Sequence, residues 1–143
     1  MAKKIPVFVT GNQYKMIEAE AAFRSYGLDF EIESLDIDEI QHHEPLKITE
    51  AKARAAYEIL NRPVIVHDSN WSIPALNGFP GGYMKDVDSW FEPGDFIDLM
   101  KDKADKSINL LDTIAYFDGK KLKIFVEKIQ AEFIDEPRGG GQD

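Results

Sequence analysis

The stretch Val64-Ile65-Val66-His67-Asp68-Ser69-Asn70 decides the fold of this chain. Its first three residues are apolar, β-branched and consecutive, which is typical of a strand covered on both faces. We therefore predict a strand in the middle of an α/β sheet that ends at His67. Asp68 would directly follow this buried strand, where a carboxylate suits a metal ligand or a general base. An Asp at a strand end is equally typical of a turn with the two residues after it, so both interpretations stay open.

The residues that precede this strand alternate between strand and helix patterns. Ile5–Val9 is predicted to form a short strand that ends at Thr10-Gly11-Asn12. Asn12 is a good N-cap for a helix from Gln13 to about Tyr26, which Gly27 would stop. Asp29–Asp36 alternates like a half-exposed strand.

A second helix is predicted from about Leu46 to Leu60, and Arg62-Pro63 would break it. Four of its residues have the spacing of one buried face. They are Ile48, Ala51, Ala55 and Ile59.

Beyond the central strand, residues 71–94 are rich in Gly, Pro and aromatic residues, which indicates an ordered functional loop. A short helix is predicted around Asp95–Asp102. Ser107–Phe117 and Lys121–Ile134 then look like two long strands joined at Asp118-Gly119, a strong hairpin pattern. The order β-α-β-α-β followed by a hairpin predicts an α/β fold, with a mixed sheet, flanking helices and a long C-terminal hairpin. We expect residues 1–143 to form a single domain.

The composition restricts the possible partners. The net charge of −9 argues against a sequence-independent binder of DNA or RNA, because phosphate backbones need a basic surface. A small polyanion can still bind if Mg²⁺ bridges carboxylates to phosphates and a few lysines converge. No apolar run approaches the roughly 18 residues of a membrane span, so we expect a soluble protein with no membrane partner. The chain has no cysteine, which excludes disulfides and thiolate metal sites, and we expect a cytoplasmic location.

Two polar segments follow buried strands and are candidates for chemistry. If the two strands are parallel, Thr10-Gly11-Asn12 and His67-Asp68 share one edge of the sheet, where α/β proteins bind ligands. The first segment is a candidate phosphate site, because Gly11 lets an anion approach the backbone and Lys15 adds a charge at a helix N-terminus. An ordinary capped junction between strand and helix would have the same pattern.

The other charged residues are less specific. Glu44 and Lys52 flank the start of the second helix, whereas Glu50 and Arg54 are expected on its solvated face. We assign the acidic cluster Asp36, Asp38 and Glu39 to the surface. Adjacent His42 and His43 without further ligands are weak evidence for a transition metal.

Taken together, these segments resemble the inosine-triphosphate pyrophosphatase family, whose members hydrolyse non-standard purine nucleoside triphosphates. The matching segments occur in the family's order over nearly the whole chain. They are Thr10-Gly11-Asn12 with Lys15 and Glu18, Glu44-Pro45, Lys52-Ala53, Val66-His67-Asp68-Ser69, Ala75–Tyr83 with Lys85, and Pro137-Arg138-Gly139.

The resemblance implies a hydrolase of nucleotide metabolism, in which Mg²⁺ is held by Glu44 and Asp68 and bridges the phosphates. Water would attack the α-phosphorus with Asp68 as the base or the water-orienting group, releasing pyrophosphate and a monophosphate. The resemblance also implies that Lys15, Lys52 and Lys85 stabilise charge on the phosphates. The implied substrate-binding residues further include Thr10, Gly11, Asn12 and Ser69. Members of the family are typically homodimers.

The chain also departs from the family pattern. His67 replaces an acidic residue before the catalytic Asp, and Asn70 replaces a Gly. The family's base-recognition segments lie beyond Pro137-Arg138-Gly139, and the sequence ends at Asp143. We therefore expect the phosphate-handling half without the purine-recognition half. Three interpretations follow: an active pyrophosphatase with altered or relaxed base choice, a nucleotide-binding relative with little catalysis, or a scaffold for dimerisation or interaction.

Overall fold

A computed structural model describes residues 5–138 of the chain, which contain five strands and four α-helices. The strands are β1 (Val7–Val9), β2 (Glu31–Glu33), β3 (Val64–Ser72), β4 (Ser107–Phe117) and β5 (Leu122–Glu132). The helices are α1 (Gln13–Ser25), α2 (Pro45–Leu60), α3 (Met84–Trp90) and α4 (Pro93–Met100), with 3-10 turns at Pro74–Leu76 and Gly81–Tyr83. Among these residues, every helix is too short or too polar to cross a bilayer.

The five strands form one mixed sheet in the order β2-β1-β3-β4-β5, which confirms the predicted α/β class. β3 is the central strand, as its apolar run predicts. β1 pairs in parallel with β2 on one side and with β3 on the other, in register Val7↔Glu31 and Val7↔Val64. The carboxyl ends of β1 and β3 therefore point to the same edge of the sheet.

The first helix begins and ends as the sequence predicts. Asn12 has an extended backbone, and its side-chain oxygen accepts hydrogen bonds from the backbone N–H groups of Tyr14 and Lys15. Gly27 stops the helix with a φ of 64°, a conformation that glycine adopts without steric cost. Tyr26, the C-cap residue of the helix, is exposed.

The buried face of α2 differs from the predicted one. Ile48 is buried as expected, but Ala51 and Ala55 are only partly buried, and Ile59 is 56% exposed. The buried face instead contains Thr49, Ala53 and Ala56. The apolar pattern omitted Thr49 because of its hydroxyl, yet that hydroxyl makes hydrogen bonds inside the protein and is therefore tolerated at 0% exposure.

The prediction that the central strand ends at His67 was wrong. β3 continues for six residues beyond Val66, through the polar segment His67-Asp68-Ser69-Asn70 to Ser72. Polar side chains do not end a strand when they have hydrogen-bond partners: Ser69 donates to Asp112 Oδ1 at 2.6 Å, and Asn70 donates to the Gly81 carbonyl at 3.1 Å. Asp68 consequently lies within a strand, not in a turn.

The segment 71–94 is also more regular than the predicted loop. It contains the end of β3, both 3-10 turns, all of α3 and the start of α4. The helix predicted around Asp95–Asp102 is α4, which begins two residues earlier at Pro93. A reciprocal capping box between Glu92 and Asp95 explains this start.

The C-terminal hairpin confirms the two predicted strands, although β5 ends at Glu132 and not at Ile134. The N–H of Asp118 bonds to the Lys121 carbonyl at 3.3 Å, so Gly119 and Lys120 are the central turn residues. Gly119 has a φ of 94°, and a Cβ built on it would lie 2.3 Å from the Tyr57 hydroxyl oxygen. Both the backbone conformation and the space therefore require glycine at this position.

The described chain divides into two compact units, each with its own core. The first comprises the part up to Asp68 together with Thr113–Val126, and its core includes Val7, Val9, Ala53, Val66 and Phe117. The second comprises Ser69–Asp112 and the part from Glu127, and its core includes Ile73, Met84, Phe96, Met100 and Ile108. The expectation of a single domain stays a prediction.

Candidate functional site

The first unit brings the two candidate polar segments together at one edge of the sheet. β1 is followed by Thr10-Gly11-Asn12, and its parallel neighbour β3 contains His67 and Asp68 just beyond the paired residues. Lys15, from the first turn of α1, donates from Nζ to the His67 carbonyl at 2.7 Å. A cationic side chain therefore reaches the residue next to Asp68, which confirms the shared edge.

The segment after β1 forms a compact capped turn. Thr10 is buried, and its Oγ1 accepts a hydrogen bond from Asn12 N at 3.1 Å. Asn12 Oδ1 accepts from Tyr14 N at 2.9 Å and from Lys15 N at 3.3 Å, so its side chain caps α1. A Cβ on Gly11 would come within 3.3 Å of Ser34 Oγ, so this position has little room for a side chain. Substrate binding by these three residues stays a prediction.

Asp68 is the centre of a hydrogen-bonded cluster. Its Oδ1 accepts a hydrogen bond from Lys52 Nζ at 3.2 Å, and its Oδ2 accepts one from Thr49 Oγ1 at 2.9 Å. Lys52 Nζ also lies 3.2 Å from Glu39 Oε1. The side chains of Lys52 and Asp68 are only 17% and 18% exposed, so the ion pair is shielded from most of the solvent.

The charge state of Lys52 follows from these neighbours. Burial by itself lowers the pKa of Lys52, but the carboxylates of Asp68 and Glu39 more than offset it, so the pKa is raised above the ordinary value of 10.5. Lys52 is therefore an ammonium ion at neutral pH. A fixed positive charge at this position suits an anionic ligand or an anionic transition state.

Two residues of this cluster were missed in the sequence. Glu39 is exposed, as predicted, but it is also ion-paired with Lys52; no local pattern indicates this pairing, because it depends on the course of residues 34–44. Thr49 had a usable pattern, since it lies three residues before Lys52 and therefore on the same side of α2. By contrast, Glu50 and Arg54 were predicted on the solvated face, where they form an ion pair at 3.2 Å with side chains 32% and 51% exposed.

Glu44 is placed at the start of α2, as predicted, but not in the Asp68 cluster. It is the N-cap residue of the helix, its side chain is exposed, and its backbone N–H donates to His42 Nδ1 at 2.9 Å. Within residues 5–138, no three acidic or histidine side chains gather as a preformed metal site. His42 and His43 stack on each other, with ring centroids 4.6 Å apart.

The donor set nevertheless fits Mg²⁺, which usually binds through one or two carboxylates together with substrate phosphates and water. A carboxylate has about four acceptor positions, and the Asp68 carboxylate uses two of them in the contacts described above. Oxygen donors are also the ligands that Mg²⁺ prefers. Asp68 is therefore a suitable ligand for a metal that arrives with its substrate.

The remaining predicted site residues belong to the second unit. Ser69 is hydrogen-bonded to Asp112, and Lys85 lies exposed in the first turn of α3. Asn70 is buried, and its Oδ1 has no hydrogen-bond partner among the residues that the structure describes. Roles for Ser69 and Lys85 in substrate binding stay predictions.

These features define the class of the protein. It is an α/β protein in which two lysines and a carboxylate lie at the edge of the sheet to which the carboxyl ends of two parallel strands point. Such sheets bind ligands at this edge. Residues 6–142 match the Ham1 family, and the chain belongs to that family. The resemblance to inosine-triphosphate pyrophosphatases is thereby confirmed.

Curated relatives and solved structures agree with this assignment. The dITP/XTP pyrophosphatase of Methanopyrus kandleri is 33% identical over 134 residues, covering 93% of this chain and 71% of the relative. The inosine triphosphate pyrophosphatase of Kluyveromyces lactis is 32% identical over 144 residues, covering 94% of this chain and 72% of the relative. A HAM1 protein from Coxiella burnetii has the same fold, with a TM-score of 0.83 and 21% identity, covering 96% of this chain and 77% of that one.

Proposed function

We propose that this protein is a magnesium-dependent nucleoside-triphosphate pyrophosphatase, which releases pyrophosphate and a nucleoside monophosphate. The observation that carries the proposal is the shielded ion pair of Lys52 and Asp68. Lys15 lies beside this pair, because it donates a hydrogen bond to the carbonyl of His67, the residue before Asp68. A carboxylate beside two lysines combines a base with positive charge for a triphosphate. The names of the curated relatives support the same activity.

The proposed step is attack of a water molecule on the α-phosphorus. A new bond forms between the water oxygen and phosphorus, while the bond from phosphorus to the bridging oxygen of the leaving pyrophosphate breaks. Asp68 accepts the proton that the water loses. Lys15 and Lys52 stabilise the negative charge that develops on the phosphate oxygens.

Asp68 would hold the metal, and the resemblance adds Glu44 as the second ligand. When bound, Mg²⁺ supplies charge neutralisation at the phosphates and orients them for attack. The N-cap position of Glu44 leaves its carboxylate exposed and accessible to a ligand. Chelation of the metal is therefore expected to stop pyrophosphate release.

The substrates are non-standard purine nucleoside triphosphates, on the strength of the family to which the chain belongs. The test is a pyrophosphate-release assay with inosine and xanthosine triphosphates in the presence of Mg²⁺, with the four standard nucleotides as comparison. Release from the non-standard nucleotides that disappears on chelation supports the proposal. Nucleotide binding by calorimetry without release would instead favour a binding protein with little catalysis, and absence of binding would leave only the scaffold.

Lys15 provides a quantitative test of phosphate binding. Lys15→Met keeps the apolar stem but removes the charge, and we expect kcat/KM to fall by about 10- to 100-fold, the equivalent of one hydrogen bond to a charged group. Steady-state kinetics on the Mg²⁺ complex of inosine triphosphate measures it. Lys47→Met, at an exposed position on α2, is the matched control and is expected to stay within about twofold of the unsubstituted protein. Equal losses in both variants would show a general charge effect instead.

We propose that the protein forms a homodimer and that it acts in the cytoplasm. β5 is an edge strand of the sheet, and Phe125 and Val126 on it are 60% and 51% exposed, with Ile114 of β4 at 40%. An edge strand with exposed apolar side chains favours pairing with another chain. We expect light scattering to give twice the chain mass of 16.2 kDa, and Phe125→Lys to give the monomer mass. Trp90→Lys, at a residue 73% exposed in the second unit, is the control, and a monomeric unsubstituted protein would exclude the assembly.

A further inference from the structure

Thr49 makes a hydrogen bond to Asp68 that has no role in the proposed chemistry. It is 0% exposed on α2, and its Oγ1 lies 2.9 Å from Asp68 Oδ2 and 3.1 Å from the Pro45 carbonyl. A hydroxyl carries one proton, so it donates to one of these acceptors at a time. The carboxylate is both closer and charged, and a hydrogen bond to an ionised acceptor is the stronger of the two.

The two oxygens of Asp68 are held by different means. Lys52 contacts Oδ1 through an ammonium on a long flexible stem, and it is shared with Glu39 at the same distance of 3.2 Å. Thr49 contacts Oδ2 from a short, β-branched side chain with few rotamers, on a helix that packs against the core. The threonine therefore restrains the carboxylate plane in a way that the lysine alone does not.

We propose that Thr49 is a positioning residue, which sets the orientation of the Asp68 carboxylate through its hydroxyl. The proposal rests on the proposed pyrophosphatase function, in which Asp68 must face the attacking water. With Oδ2 held by Thr49 and Oδ1 by Lys52, the remaining acceptor positions of the carboxylate have a defined direction. A base that is held in place needs less reorganisation to reach the transition state.

The kinetic test compares two substitutions of nearly the same size. Thr49→Val keeps the shape but removes the hydroxyl, and we expect kcat for pyrophosphate release to fall about tenfold while KM changes less than about twofold. Thr49→Ser keeps the hydroxyl and is expected to retain kcat within about twofold. A loss that is equal in both variants, or that appears in KM alone, would overturn the proposal.

A control separates positioning from simple stability. Ile48→Val removes a methylene from the neighbouring buried residue of α2 and is expected to lower the urea midpoint without changing the contacts of Asp68. We expect its kcat to be unchanged. If kcat falls in Ile48→Val as it does in Thr49→Val, the hydroxyl has no special role and the proposal is wrong.

The hydroxyl–carboxylate contact is tested apart from catalysis by a double-mutant cycle of Thr49→Val with Asp68→Ala. Urea unfolding of the full chain is expected to show that the two substitutions are not additive, because the contact is lost only once. Additive effects would overturn the positioning proposal even in an active protein. An unsubstituted chain that releases no pyrophosphate would overturn the proposed function and the kinetic role of Thr49 together, whereas the cycle would still decide whether Thr49 holds Asp68.

Discussion

Asp68→Asn is expected to lower pyrophosphate release by about 10²- to 10⁴-fold, the range that a positioned general base contributes. The amide keeps the shape of the carboxylate and can still accept a hydrogen bond from Thr49, but it cannot take the proton of the attacking water. It also removes the charge opposite Lys52, whose other ion-pair partner in the described part of the chain is Glu39. Rates measured with saturating inosine triphosphate and Mg²⁺ report this loss, and calorimetry reports whether nucleotide still binds.

Glu50→Gln is the matched control for this substitution. It makes the same carboxylate-to-amide change on α2, where Glu50 pairs with Arg54 on the solvated face. Exposed pairs of this kind contribute little, so activity and stability are expected to stay close to those of the unsubstituted protein. Activity of Asp68→Asn within about tenfold of the unsubstituted protein would show that another group activates the water.

Gly119→Ala is expected to destabilise the fold by about 2–5 kcal/mol, for two reasons that add. The φ of 94° is unfavourable for any residue with a side chain, and the new Cβ would lie 2.3 Å from the Tyr57 hydroxyl oxygen and 2.4 Å from Cζ. The Tyr57 ring has little freedom to move, because it packs edge-on against Phe117 with centroids 5.2 Å apart. Urea unfolding with linear extrapolation measures the change in the free energy of unfolding.

The chain offers controls for each of the two reasons. Gly27 has a φ of 64° with no atom within 4 Å of its Cβ position, so Gly27→Ala reports the backbone cost of about 1–3 kcal/mol alone. Gly94 has no atom within 4 Å of its Cβ position and no positive φ in the left-handed region. Gly94→Ala is therefore expected to change the free energy of unfolding by less than about 0.5 kcal/mol. In a Tyr57→Leu background, Gly119→Ala should cost less, because the steric part is relieved. Equal costs for Gly119→Ala and Gly27→Ala would contradict the steric contribution.

The local features of the fold could be predicted because their causes are local. Asn12 caps α1 through hydrogen bonds to residues two and three positions away, and the apolar run Val64–Val66 marks the central strand. The length of β3 could not be predicted in this way, because His67–Ser72 lacks the apolar pattern. Its polar side chains are stabilised by groups far along the chain, such as Asp112 and the Gly81 carbonyl.

In the candidate site, too, the residue types could be predicted from the sequence, but the contacts among them could not. The residue types for phosphate chemistry, Lys15, Lys52 and Asp68, follow from the sequence and from its resemblance to a family, because they occur in ordered motifs. The contacts among them depend on the parallel pairing of β1 with β3, which brings Lys15 to within 2.7 Å of a carbonyl 52 residues away. Glu39 and Thr49 join the site for the same reason, since their partners lie on other elements.

The sequence by itself therefore determined the α/β class, the central strand beginning at Val64 and the identity of the charged groups that we propose act on a phosphate. Only the tertiary structure decided that Asp68 lies inside a strand, with one oxygen bonded to Lys52 and the other to Thr49. The physical reason is the range of the interactions. Caps, turns and apolar periodicity act over a few residues, whereas the orientation of a carboxylate depends on side chains that the fold brings in from other elements.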